Sequence, residues 1–258
     1  MHSARKITFA SQLIAVLLAG AAIKLFYSTA SVNDLLWVLA PTRFLVGLAT
    51  GVGFTFESYS GYMSSDHSFL IAASCSGVNF LLTAFLMLAL SHLWRHRSLN
   101  ISWNFIPISF GLAYLTTIIA NTIRISTAMY IRRKDPELIW LNPEDLHRFE
   151  GIVIYFGFLL LLFIVSECGG SGGRQSSKGR ARLWRYLLPL AVYYATTIVI
   201  PFASGAFRHG PAASEFWRHS LFVLVTPLIL VFPPALRGLW KYQRIPRPAP
   251  ESYNGDAE

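Results

Sequence analysis

Apolar runs long enough, or nearly long enough, to cross a lipid bilayer recur along this chain, near residues 7–27, 35–54, 70–94, 104–123, 151–166, 185–204 and 219–236. A hydrocarbon core about 30 Å thick takes about 20 apolar residues per helix, so length and pattern together allow roughly six to eight spans. Inside lipid such segments have to be helical, because an open strand edge leaves backbone N–H and C=O groups without partners. The expected fold class is therefore an all-α integral membrane protein, a polytopic bundle of transmembrane or re-entrant helices. Only 14% of the residues are charged, against roughly 25% in an ordinary soluble domain. The net charge of +9 then reads as cytoplasmic loops and contact with membrane lipids carrying anionic headgroups, and no nucleic-acid partner is expected. The first run follows Met1–Lys6 with no small-residue cleavage site behind it, and reads as a retained helix rather than a signal peptide.

The chain divides into residues 1–166, a transmembrane core; 167–184, a linker; 185–236, two further helices; and 237–258, a tail expected to be disordered. The linker contains GGSGGRQSSKGRAR, with four basic residues and no acid, and is assigned to the cytoplasmic side together with Arg95-His96-Arg97 and the tail from Arg237. Loops 55–69, 124–150 and 205–218 then fall on the extracytoplasmic side. An inside N-terminus followed by three full crossings would put Arg95-His96-Arg97 outside, so something earlier breaks parity. Either segment 35–54, interrupted by Pro41 and Arg43 and rich in glycine, is bent or re-entrant, or the N-terminus lies outside. Cys75 and Cys168 fall on opposite sides of the bilayer, which excludes a disulfide between them.

Cys75 sits among the small residues Ala73, Ser74, Ser76 and Gly77. These leave room for a substrate backbone, and a place in the first helical turn would favour a thiolate and a developing oxyanion. A lone membrane cysteine is ordinarily just a small packing residue. Arg124 emerges from the fourth run at the outer end, where basic residues are not the rule; a charge at that depth ordinarily faces a cavity or a partner. Asn121 lies one turn earlier and is placed to orient the guanidinium. His147, four residues before Gly151, reaches the same rim and titrates near neutral pH. Together these three side chains can form a thiolate, stabilise an oxyanion and move a proton. Asn79 and Tyr62 are further candidates for orienting or binding substrate, and Glu57 and Asp66 lie in the same outer loop. No HExxH, CxxC, GxSxG, Walker A or GxGxxG spacing occurs, so neither metal nor cofactor is expected.

Cys75-Ser76-Gly77, then Asn121-Thr122-Ile123-Arg124, then His147 with Gly151 resemble, in order and in membrane position, the pattern of the exosortase/archaeosortase family over roughly residues 50–165. Within the family the stretch SCSGVNFLL looks most like exosortase K. The resemblance implies a thiol protease or transpeptidase of the prokaryotic cell membrane, with its active site on the outer side. Its substrates would be exported proteins ending in a short motif, a transmembrane helix and a basic cluster. Cys75 would carry the acyl-thioester, Arg124 and His147 would share proton donation and charge stabilisation, and the acceptor would be water or an amine. The alternative from the residues alone is a multispan transporter or channel that uses Arg124 for an anionic ligand.

Overall fold

A computed structural model describes residues 2–96, 102–133, 143–169, 179–203 and 217–230, with side chains described throughout except at 2–6, 133, 143–145, 147, 168–169 and 179–186. Four helical segments are long and apolar enough to cross a membrane: Ile7–Thr29, Ala73–Arg95, Phe105–Arg132 and Arg148–Glu167. Leu187–Ala203 and Trp217–Leu230 are shorter apolar helices. The elements are α1 (His2–Thr29), α2 (Leu36–Thr50), β1 (Phe54–Glu57), β2 (Gly61–Ser64), β3 (Leu70–Ile71), α3 (Val78–Arg95), α4 (Phe105–Arg133), α5 (Pro143–Gly169), α6 (Gly179–Tyr194), α7 (Ile200–Ala203) and α8 (Trp217–Leu230). A π-helical turn, Ala195–Val199, joins α6 to α7.

Helix α3 is the axis of the bundle, with α1, α4, α5 and α6 packed around it. Its buried side chains, among them Phe85, Met87 and Leu93, form one core with Ala113 and Ala120 of α4 and Phe156 and Leu159 of α5. Outward-facing positions are also apolar: Ile14, Leu17 and Leu18 on α1, Leu112 and Leu115 on α4, and Leu161 and Ile164 on α5 are all exposed. An aqueous surface does not ordinarily carry so continuous a belt, whereas lipid imposes no penalty on it.

Side-chain contacts give each helix its direction. Lys24 bonds Asn79 while Gly20 sits against Leu82 and Leu86, so α1 runs antiparallel to α3. His92 stacks on Phe105 at 5.1 Å and Gly77 meets Thr117 and Asn121, which makes α4 antiparallel to α3. Arg124 lies against Gly151 and Arg95 against Glu167, so α5 descends beside α3. The end of α5 that carries Cys168 thus meets the end of α3 remote from Cys75, about 27 Å away for an 18-residue helix. Tyr193 packs on Phe156, and Tyr194 donates to the carbonyl of Leu224.

Helix α2 is the element on which the parity problem posed by the sequence turns. Trp37 stacks on Tyr114, about a third of the way along α4, while further along α2 Val46 shares a core with Ile125 and Met129 near the α4 C-terminus. Helices α1 and α2 therefore point to the same end, and the 15 residues of α2 extend only about 22 Å. A short helix of this direction is compatible with the re-entrant alternative for segment 35–54. Pro41 within α2 has no N–H for the Trp37 carbonyl, and that carbonyl instead accepts from Tyr114 Oη at 2.7 Å.

The all-α expectation is corrected at residues 54–71, which form a three-stranded antiparallel sheet in the order β1-β2-β3. Phe54 pairs with Ser64 and Tyr62 with Ile71. FTFE and GYMS carry the aromatic and branched side chains that strands favour, and they lie beyond the apolar runs, where water can meet a strand edge. Asp66 organises the β2–β3 turn by accepting from Ser64 Oγ at 2.6 Å and from Ser68 N and Oγ. Those bonds lower its carboxyl to about 2, so Asp66 holds the turn as a carboxylate.

Candidate active site

Ile71 closes the sheet, and within two residues the chain enters a 3-10 turn, Ala73–Cys75, whose Cys75 N–H donates to Ala72 O at 2.9 Å. Cys75 thus precedes α3, outside the first helical turn that would have favoured a thiolate; Gly77 is the N-cap, in the left-handed region at φ 75°. A Cβ at Gly77 would meet Thr117 Cγ2 at 3.2 Å and both Asn121 Cγ and Tyr155 Oη at 3.3 Å. Two requirements therefore converge on glycine here, positive φ and a close approach of three helices. Ser76 is fully buried, and its hydroxyl has no hydrogen-bond partner among the described residues.

Four groups from two helices, α4 and α5, and the turn form a continuous hydrogen-bonded path. Arg124 Nη1 donates to Tyr155 Oη at 2.7 Å. Tyr155 Oη donates to Asn121 Oδ1 at 2.8 Å, and Asn121 Nδ2 donates to the carbonyl of Cys75 at 2.6 Å. The guanidinium also lies 5.3 Å from the centre of the Tyr155 ring, which stacks on Phe80 at 4.8 Å. It lies against Gly151 of α5, where a Cβ would be in ordinary van der Waals contact with Arg124 Nε at 3.5 Å. The Cys75 thiol is half-buried and within electrostatic range of both Arg124 and Tyr155.

Beside this path opens a cavity of about 350 Å³. Ser74 and Gly77, which bracket the Cys75-Ser76 step, line it together with Arg124 and Tyr155; Lys24, Arg148 and His219 add cationic or titratable groups. Lys24 Nζ donates to Asn79 Oδ1 at 3.2 Å and lies 5.9 Å above the Tyr27 ring. Thr83 and Thr196 bond each other across the floor at 2.8 Å.

Of the sequence candidates, Cys75, Asn79, Asn121 and Arg124 come together at this end of the bundle. His147 lies on α5 one turn before Gly151, and its side chain is outside those described. Tyr62 is not brought to the cavity: it packs on β2 with Phe56 and under Arg43, whose Nη2 donates to the Phe54 carbonyl at 2.9 Å. Tyr62 and Arg43 therefore tie the sheet to α2. Sequence reasoning passed over Tyr155, Lys24, Arg148 and His219. Two of them carried a signal, because Tyr155 and Lys24 are polar groups inside otherwise apolar runs, and such groups ordinarily face the bundle interior. No family model, curated protein or solved structure matches the chain.

Proposed function

We propose that this chain is a membrane-embedded cysteine peptidase or transpeptidase of the exosortase type, which cleaves carboxy-terminal sorting tails of exported proteins through an acyl-thioester on Cys75. The observation that carries the reading is the path from Arg124 through Tyr155 and Asn121 to the Cys75 backbone, beside a cavity lined in part by Lys24, Arg124 and Arg148, at the end remote from Arg95. A cysteine used only for packing has no need of three polar side chains to fix its carbonyl. In this reading α1, α3, α4, α5, α6–α7 and α8 cross the membrane and α2 returns within its outer half, which places both chain ends and Arg95 in the cytoplasm.

The chemistry follows from the groups available. The Cys75 sulfur attacks the scissile carbonyl, and the C–N bond of the tetrahedral intermediate breaks to release an amine and leave a thioester. A guanidinium does not give up its proton near neutral pH, so Arg124 serves as the fixed charge opposite the oxyanion. His147 is the group that can take the thiol proton and return it to the leaving amine. Water or an amine acceptor then releases the acyl group. The substrate's transmembrane helix would lie in lipid beside the bundle, with its basic end toward the cytoplasmic face.

Intact-mass spectrometry of the enzyme mixed with a tagged exported protein bearing such a tail, quenched at low pH, tests the reading. Wild type gains the mass of the acyl fragment and Cys75→Ala does not; cleavage by Cys75→Ala at the wild-type rate would reject it. A second reading, an anion transporter, draws on the Lys24, Arg124 and Arg148 lining of the cavity. It requires function to survive Cys75→Ala and to be lost in Arg124→Ala.

A further inference from the structure

The end of the bundle opposite Cys75 contains a second cavity, of about 330 Å³, where the last turn of α3 meets the first turns of α4. One wall is polar, with Ser91, His92, Arg95, Ser102, Asn104 and Ser109; the other is apolar, with Leu88, Ile108 and Leu112. We infer that this cavity binds the headgroup of a hydroxylated anionic phospholipid of the phosphatidylglycerol type, with an acyl chain running along α4.

The polar wall is built for an anion. Arg95 donates Nη1 to the Ser166 carbonyl at 2.9 Å and Nη2 to Glu167, which occupies two of the five N–H groups of a guanidinium. The positive end of the 29-residue helix α4 faces the same space. Ser109 is only 6% exposed, lines the cavity, and has no hydrogen-bond partner among the described residues. Ser91, equally buried, donates only to Met87 Sδ at 3.7 Å. A buried hydroxyl ordinarily finds an oxygen or nitrogen partner, so two that face one cavity without one mark the place of a ligand's oxygens. The hydroxyl and amide groups of Ser102 and Asn104 at the mouth suit a glycerol headgroup better than a choline.

The apolar wall says that the ligand is a lipid rather than a free ion. Ile108 and Leu112 are 60% and 47% exposed, so the cavity opens on the outer surface of the bundle. Leu115 and Ile119, exposed as well, continue the same face at the spacing i, i+4, i+7, i+11. That stripe runs about 16 Å up the helix, the scale of an acyl chain. Exposed Trp94 and Trp103 are sequence neighbours of the lining residues Arg95, Ser102 and Asn104, and tryptophan commonly marks the headgroup level of a bilayer.

Full-length protein in detergent, incubated with equimolar dioleoylphosphatidylglycerol and dioleoylphosphatidylcholine and then stripped gently, can be weighed by native mass spectrometry. Wild type is expected to keep one phosphatidylglycerol with a preference of about tenfold, the effect of one or two hydrogen bonds to a charged group. Ser109→Leu, which fills the cavity, should lose the preference while melting at the same temperature in lipid-free detergent. Ser91→Ala and Ser109→Ala combined, which remove only hydroxyls, should weaken it. Equal retention of the two lipids by wild type, or an unchanged preference in both variants, would overturn the assignment. Displacement of phosphatidylglycerol by millimolar inorganic phosphate would overturn its lipid half and leave a plain anion site.

Discussion

Tyr155→Phe isolates the hydroxyl at the centre of the path that reaches Cys75. The substitution keeps the ring, its 4.8 Å stack on Phe80 and its 5.3 Å contact with the Arg124 guanidinium, and deletes two hydrogen bonds. The bond from Arg124 involves a charged donor and contributes about 1.5–3 kcal/mol, while the neutral bond to Asn121 contributes about 0.5–1.5 kcal/mol. Water in the adjoining cavity recovers part of both, so the expected net cost is about 2 kcal/mol. Unfolding in mixed micelles of dodecylmaltoside and rising SDS, followed by tryptophan fluorescence, reads the stability. A double-mutant cycle with Asn121→Ala then reads the connection, because Asn121 without its Tyr155 partner holds the Cys75 carbonyl less firmly. The two costs should fail to add by about 1 kcal/mol, as expected of groups in one network. The rate of acyl-enzyme formation should fall in both single variants, with little further loss in the double. Additivity within about 0.3 kcal/mol, or a Tyr155→Phe variant as stable as wild type, would overturn the argument that these residues act as one unit.

Gly77→Ala adds the strain of a left-handed Ala, about 1–2 kcal/mol, to contacts of 3.2–3.3 Å with Thr117, Asn121 and Tyr155, and should unfold at lower SDS than Tyr155→Phe. Tyr114→Phe leaves the Trp37 carbonyl without its donor and should cost about 1–3 kcal/mol. Pro41→Ala supplies an N–H to that carbonyl from within α2, so Tyr114→Phe should be nearly neutral in a Pro41→Ala background; an unchanged cost there would refute the account of the proline. Cys75→Ala removes a single sulfur from a half-buried turn and should cost only about 1 kcal/mol, leaving a folded protein that forms no adduct in the mass assay. An engineered cysteine at Ser176 should resist impermeant thiol reagents added outside intact cells, and its labelling would invert the proposed orientation.

The apolar helices were legible in the sequence because lipid leaves no other way to satisfy a backbone, and a run of about 20 apolar residues carries that constraint locally. The weakness of segment 35–54 was legible too, since Pro41 removes a donor whatever surrounds it. How the chain accommodates that loss was not, because the Tyr114 hydroxyl that replaces the donor lies 77 residues away. The sheet at 54–71 escaped notice because its strands are short and their pairing, Phe54 with Ser64 and Tyr62 with Ile71, depends on neighbours rather than on any long periodic pattern. Cys75, Asn121 and Arg124 stood out as polar or reactive groups at the ends of apolar runs, and hydropathy alone was enough to put them toward one end of the bundle. Depth does not fix direction. Tyr155 enters the site and Tyr62 stays out of it because helix rotation and strand register decide which face each side chain occupies, and those are set by the packing of α3 against α4 and α5 and by Arg43 under the sheet. The sequence by itself determined where the long apolar helices run and which chemical groups sit at their ends, each a local property. Only the tertiary structure decided which of those groups touch, since contact across helices depends on rotations that hydrophobic periodicity leaves free.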